Sequence, residues 1–463
     1  MNRRTGFRKG AGFFTMAVIL LFSILPVNAA ERLQDTGEKL VIVIDPGHGG
    51  SEFGTTENDH LEKAMNLITA EAMYQQLSLY EGVEIHMTRT DDSKLTLKER
   101  AEFAASVEAD FLFSIHYNAS ESHELFGSEV WVSLFPPFNA YGYQVGYEVL
   151  TDMRERGLLI RGIKTRQDSK QRNYYGIIRE SEDLGVPAVI IEHCHVDETR
   201  DVDYCDSEED YKEFGRMDAE AVARYFGLKS SVLGTDYSDY SLVGADEHIP
   251  VSLTDRDDTP PDICQIELSE TDYGTGYLSL TVTAADYDTC LLYYTYSLDG
   301  GKTFSVREPW PAADTLTGYY PDTFTLNLQI PSDLSPTVIL RAYNKYDLYT
   351  ESEPYISGQS YHYEGESEAV EAVALIQPTE EPEATPEASP ETSPETSPAT
   401  SPEGEVLKLE DLNRKETPEP VDDSEKEVTL LGFLEICLVI ATILFVILFI
   451  SQIIARSKKK KMP

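Results

Sequence analysis

The stretch "VIVIDPGHGG", residues 41–50, sets four apolar β-formers directly against Asp45, Pro46, Gly47, His48, Gly49 and Gly50. Such a run reads as a buried strand delivering a glycine-rich loop, which either cradles a phosphate on backbone N–H groups or presents His48 to a metal. The phosphate reading requires a following Lys and Ser/Thr, or a G-x-G-x-x-G spacing with an acid about 20 residues on. Neither is present. A tight turn holding an idle histidine is the third alternative, and the loop alone does not choose among them.

From Val41 to about Leu228, strand-like runs ("VEIHMTR", "DFLFSIH", "GSEVWVS", "PAVIIEH") alternate with helix-like stretches, among them Glu62 to Leu79 and Leu97 to Val107. Alternation of this kind indicates an α/β domain whose helices cover a largely buried sheet. Thr96 and Glu99 have capping-box spacing at the start of the second helix. In "FLFSIHYNAS" a second buried strand ends in a histidine, His116. Glu62 stands at the start of the first helix, where its structural reading is a charge complementing the helix dipole. Ligands of a parallel α/β sheet gather at the C-terminal edge of its strands, which places His48, His116 and Glu62 to converge. Two imidazoles and a carboxylate make the ligand set of a catalytic zinc centre with one position left for water. A further strand, "VPAVIIEH", brings Glu192 to the same edge, the natural base for a metal-activated water.

These blocks, "VIVIDPGHGG", "LEKAMNL", "MTRTDDSKLTLKERAEFA", "FLFSIHYNAS" and "VPAVIIEH", resemble in content and order the zinc-dependent N-acetylmuramoyl-L-alanine amidases of bacteria, the amidase-3 family. The likeness covers about residues 39–228. It implies a phosphorylase/hydrolase-like mixed sheet with flanking helices, zinc held by His48, Glu62 and His116, and Glu192 as catalytic carboxylate. The implied substrate is peptidoglycan, cut at the amide between N-acetylmuramic acid and the L-alanine of the stem peptide. A zinc peptidase or carboxypeptidase acting on wall peptides, and a non-catalytic peptidoglycan-binding protein, are the alternatives. Asp45, Arg89, Arg100 and Asn118 also match the family pattern; Asp45 or Asn118 is expected to orient a metal-bound histidine, and the arginines serve equally well as fold-holding ion pairs. The last motif departs from the pattern in "EHCHVDE": His195 reads as replacing an aromatic packing residue, or one of these side chains contacts substrate or a second metal. Cys194 and His195 alternate along a strand and do not face one another as a nucleophile pair. His60, His86 and His123 read as bystanders, and 121–180 is the region in which a lid would lie.

The remainder of the chain sets the context. Residues 1–29 carry Arg3, Arg4, Arg8 and Lys9 before an apolar run and small residues, the pattern of a secretory signal. Residues 229–258 read as a linker, and 259–357 as an immunoglobulin- or fibronectin-like β-sandwich of short alternating strands, for which a wall or protein partner is open. Residues 358–428 read as a Pro/Glu/Ser/Thr-rich disordered stalk. Residues 429–455 read as one transmembrane helix, and the basic tail 456–463 is expected to leave the body of the protein outside the cell membrane. With 81 acidic against 38 basic residues and a formal charge of −43, nucleic acid is excluded as a partner. The five cysteines are too few for a disulfide scaffold, with Cys194–Cys205 and Cys264–Cys290 the pairs open to bridging.

Overall fold

Leu40, Ile42 and Ile44 alternate with Val43 along their strand, and all four side chains are fully buried. A strand apolar on both faces needs cover on both. The computed structural model, which describes residues 39–242 and 258–363, provides it. Strands β1 (Leu40–Pro46), β2 (Val83–Met87), β3 (Phe111–Asn118), β4 (Ser128–Trp131), β5 (Ile160–Lys164) and β6 (Ala188–His195) form one sheet in the order β2-β1-β3-β6-β4-β5. Only the β4–β6 pairing is antiparallel, so the sheet is mixed. One face packs Leu40, Ile42, Phe113 and Ile191 against helices α1 (Glu62–Leu77), α3 (Phe138–Arg156) and α6 (Glu208–Tyr225). The other packs Val43, Leu112 and Ile190 against α2 (Leu97–Ser106) and α4 (Gly176–Asp183). The capping box of α2 is formed, with Thr96 accepting from the Glu99 N–H and Glu99 from the Thr96 N–H.

The chain leaves β1 to make β2 on one side and returns to make β3 on the other, so β1 and β3 flank the point where strand order reverses. A crevice opens there in open α/β sheets. Both "GHGG" and "IHYN" lie at its mouth. The expected lid region, 121–180, instead supplies β4, α3, β5 and the start of α4. Not all of the expected linker is connector: Lys229–Ser230 (β7) and Thr235–Asp236 (β8) pair as a hairpin, and Tyr237 stacks on Tyr80 at 6.3 Å while its hydroxyl bonds Glu220 at 2.9 Å. Two aromatic rings with a shared carboxylate hold that segment down better than its polar composition suggests.

Beyond it, β9 (Ile263–Asp272), β10 (Tyr277–Ala285) and β13 (Thr323–Gln329) form one antiparallel sheet, and β12 (Glu308–Pro309), β11 (Leu291–Ser297), β14 (Thr337–Asn344) and β15 (Tyr349–Glu351) a second, with β16 (Tyr355–Ile356) on β14. Leu278, Leu280, Val282, Leu328, Leu340 and Trp310 fill the space between. Cys194, Cys205, Cys264 and Cys290 are free thiols, so neither pairing raised by the sequence is made. The export signal, most of the stalk, the apolar segment 429–455 with Cys437, and the basic tail lie outside the described residues; among the described residues no helix is long and apolar enough to cross a membrane.

The second domain covers the edge strand β5, whose carbonyls would otherwise be open to pairing. Thr315 and Lys345 donate to the Ile160 and Ile163 carbonyls at 2.7 and 3.2 Å. Behind these bonds lies a buried charge network. Glu129 receives Arg161 at 2.7 Å and Lys164 at 2.6 Å; Arg161 reaches out to Asp347 at 2.7 Å and to the Tyr293 hydroxyl at 3.1 Å; Asp347 also takes Arg307 at 2.8 Å. Burial would push the Glu129 carboxyl up, but Lys164 and Arg161 outweigh it and hold Glu129 below the usual carboxylate range. Asp347 supplies the second carboxylate for two buried cations. Its replacement in Asp347→Ala is expected to cost about 1–3 kcal/mol, since it leaves guanidinium donors of Arg161 and Arg307 without their acceptor. Denaturant-induced unfolding of the whole chain checks this, and an unchanged midpoint would show that the domains do not depend on the network.

Candidate metal centre

Strand register assembles the site. In the β1–β3 ladder Pro46 pairs with Ile115, so the next residues, Gly47 and His116, lie side by side. His116 is in turn opposite Glu192 on β6, and Glu192 opposite Glu129 on β4. Alternation places His116, Glu192 and Glu129 on the sheet face of Leu112 and Ile190, as one lateral row. Gly47 lets the first loop pass over this row: a Cβ there would overlap the His116 ring. At Gly54, with φ +68°, a Cβ would strike the Glu62 carboxylate, so both positions need glycine for close approach.

His48 follows Gly47 in a left-handed conformation, φ +62°, which a non-glycine residue adopts only when its surroundings fix it. Two arginines do so. Arg100 donates to the Pro46 and His48 carbonyls at 2.8 and 2.7 Å and to Asp45 at 2.6 Å. Arg89 donates to the Pro46, Gly47 and Lys63 carbonyls at 2.8–2.9 Å. Burial and the neighbouring Arg100 pull Arg89 down to about 10, which leaves it charged. Burial would raise Asp45, but Arg100, Thr88 and Ser114 more than offset that and hold it below its ordinary value.

Glu62 Oε1 lies 3.2 Å from His48 Nε2 and 3.0 Å from His116 Nδ1. The imidazole rings stand edge to face, 5.0 Å apart. All three side chains are almost fully buried, and their donor atoms lie within 4.8 Å of one another. Thr55 N–H fixes the other Glu62 oxygen at 2.8 Å, and the Asn66 amide reaches Oε1 at 3.4 Å. Burial alone would push Glu62 up; the two imidazoles outweigh it and draw it down. Two ring nitrogens and a carboxylate oxygen gathered so closely suit a divalent cation. A cavity of about 410 Å³ opens beside them, with Glu62, Glu192, Glu129 and His123 in its wall and Trp131 and Tyr175 as aromatic faces.

The structure brings together the four residues singled out in the sequence, His48, Glu62, His116 and Glu192. The other readings divide between agreement and correction. Asp45 is taken up by Arg100, Thr88 and Ser114, and Asn118 donates to Glu129 at 3.1 Å; the carboxylate that touches both imidazoles is Glu62. Arg89 and Arg100 hold the loop. His60 meets the Tyr211 hydroxyl and His86 meets Glu84, both outside the cluster. His123, read as a bystander, lines the cavity. Glu129 and Trp131 were not singled out, because only the antiparallel register of β4 puts them beside Glu192.

The departure "EHCHVDE" has a structural answer. His193 points to the opposite sheet face from Glu192, bonds the His116 carbonyl and Asp218 at 2.8 and 2.9 Å, and stacks on Tyr117. The buried Cys194 thiol is pushed far up by desolvation and by Cys205, which makes it inert as a nucleophile. His195 is completely buried, with Nδ1 3.1 Å from the Gly127 carbonyl. Burial, then Arg161, lowers it to about 3.

Fold and site together define an α/β protein with a candidate metal-hydrolase centre at the carboxyl edge of its sheet. A family model described as N-acetylmuramoyl-L-alanine amidase matches residues 42–224. The amidase CwlM of Bacillus licheniformis is 32% identical over 193 residues, 41% of this chain and 70% of that protein. A sporulation-specific amidase of Bacillus subtilis is 31% identical over 41% of this chain and 69% of its own length. Among solved structures, the catalytic domain of CwlV from Bacillus (Paenibacillus) polymyxa is 26% identical over 41% of this chain and 99% of that domain, with a TM-score of 0.36. The chain belongs to the N-acetylmuramoyl-L-alanine amidase family.

The low value at His195 has a sign. Its neutral form is the one the fold holds, so its contribution is complete above the unfolded value of about 6.5 and is lost as pH falls toward 3, at up to about 1.4 kcal/mol per pH unit. His195→Phe is therefore expected to flatten the acid limb of stability between about pH 6.5 and 4, whatever its effect at neutral pH. Urea midpoints across that range measure it, and parallel profiles for the two proteins would refute it.

Proposed function

We propose that this chain is a zinc-dependent N-acetylmuramoyl-L-alanine amidase that acts on peptidoglycan outside the cell membrane. The observation that carries the reading is the meeting of His48, Glu62 and His116, donor atoms within 4.8 Å, with His116 directly opposite Glu192 in the neighbouring strand. The three are assigned as zinc ligands, a set that leaves a fourth position open. When bound there, zinc supplies a water of lowered pKa and polarises the scissile carbonyl.

The chain's own residues do the rest. Glu192 accepts the proton of the attacking water on its carboxylate and returns it to the departing alanine nitrogen. Arg161 and Lys164 compensate the charge of Glu129, so that a second carboxylate beside Glu192 does not compete for that proton. Trp131 and Tyr175 give the cavity an aromatic wall against which substrate can pack.

The signal at 1–29, the stalk at 358–428, the apolar segment at 429–455 and the basic residues after it support a protein anchored once, with domains 39–228 and 259–357 facing outward. The cover that the sandwich gives to β5 supports a catalytic unit of two docked domains.

Mass spectrometry of the products formed by the zinc-loaded whole chain from purified peptidoglycan tests the reading. Free stem peptides beginning at L-alanine, with glycan strands intact, are expected. Glu192→Gln should lower kcat about 10³-fold while the protein still binds one zinc, and chelation should abolish activity until zinc is restored. Shortened peptides still joined to muramic acid would indicate a peptidase instead.

A further inference from the structure

The wall of the cavity is strongly acidic. Glu57, Glu62, Glu121, Glu129 and Glu192 all line it, and His123 is the one basic side chain among the described lining residues. Two of those carboxylates are compensated, Glu62 by the facing imidazoles and Glu129 by Arg161 and Lys164. Apart from the proposed zinc, His123 is therefore the basic lining side chain that can donate to an anionic group of a bound molecule.

His123 is built into place. Its backbone is left-handed, φ +53°, a conformation costing a side-chain-bearing residue about 1–3 kcal/mol. Its Nδ1 lies 2.9 Å from Asp197 Oδ2. That carboxylate is itself buried, with 1% of the side chain exposed, and the same oxygen takes the Ser120 N–H at 2.9 Å. By contrast the His123 ring is 55% exposed. A carboxylate on Nδ1 fixes the proton there and leaves Nε2 as the ring nitrogen available to a ligand. Asp197 comes from the stretch after β6, in the segment "EHCHVDE".

We infer that the Asp197–His123 pair is a carboxylate-binding subsite, taking the carboxylate of the stem-peptide residue that follows L-alanine. That residue is joined onward through its side-chain carboxyl group, so its α-carboxyl is either a free carboxylate or, in amidated walls, a neutral carboxamide. In the imidazolium form Nε2–H donates to the carboxylate in a charge-assisted bond; a carboxamide offers only a neutral oxygen. The inference rests on the amidase reading and deepens it.

The charged groups around the imidazole are Asp197 from beyond β6, Glu121 and Glu124 from its own loop, Arg307 of the second domain, which meets Glu124 at 3.6 Å, and Glu57 and Glu192 across the cavity. The test uses soluble glycan-strand fragments whose stems differ only in carboxylate or carboxamide at the second residue. For the zinc-loaded chain at about pH 6, kcat/KM for the carboxylate form is expected to be about tenfold higher, carried in KM. His123→Gln should remove the preference, Asp197→Asn should weaken it, and His123→Arg, which keeps a donor of fixed positive charge at the same place, should restore it. If the native chain cuts both fragments at the muramic acid–alanine amide with equal kcat/KM, or His123→Gln keeps the preference, the inference fails and the amidase reading stands. If neither fragment is cut at that amide, both fail.

Discussion

The buried ion pair between Asp45 and Arg100 is the interaction on which the site depends. One carboxylate at the end of β1 anchors a guanidinium whose remaining donors hold the Pro46 and His48 carbonyls, and Arg89 fastens the same turn from the other side. A left-handed histidine on a glycine-rich loop would otherwise sample many conformations at little cost. Here the loop's carbonyls are bound by two buried arginines. The entropy of ordering the ligand is thereby met by the fold before any metal arrives, which is the preorganisation a metal centre needs.

From that anchor the remaining parts follow by register. Hydrogen-bonded strands carry Gly47, His116, Glu192 and Glu129 across four neighbours in one line, and α1 enters from above to add Glu62. The row ends in Glu129, whose charge is met by two cations on β5 and, through them, by Asp347 of the second domain. The β-sandwich thus contributes electrostatics as well as cover: it completes the charge balance behind a carboxylate that stands next to the proposed base.

Much of this was legible in the residues. A strand ending in Gly-His-Gly and another ending in His-Tyr-Asn are local signals, and strand ends converge by topology, so His48, His116 and Glu192 needed no tertiary detail to be singled out. Glu62 was legible because a helix start beside the same sheet edge brings its carboxylate toward the two histidines, although on its own it reads equally as a charge complementing the helix dipole. What could not be read depends on contacts far apart in sequence. Glu129 reaches the cavity only because β4 runs antiparallel to β6; His123 meets Asp197 across 74 positions; Arg161 meets Asp347 across 186. Asp45 looked like a partner for a histidine, and the buried guanidinium of Arg100, a stronger claimant for a carboxylate, takes it instead. The stretch after Leu228 looked like connector because it is rich in Ser, Gly and Asp, yet Tyr237, stacked on Tyr80 and bonded to Glu220, seats its first part.

The most direct measurement is anomalous diffraction at the zinc edge from crystals of the protein grown with zinc. The account predicts one strong peak within bonding distance of His48, Glu62 and His116, facing the Glu192 carboxylate, with the Pro46–His48 turn held by Arg89 and Arg100 as described. A peak ligated by other residues, or none at this cluster under conditions in which the protein cleaves peptidoglycan, would contradict it.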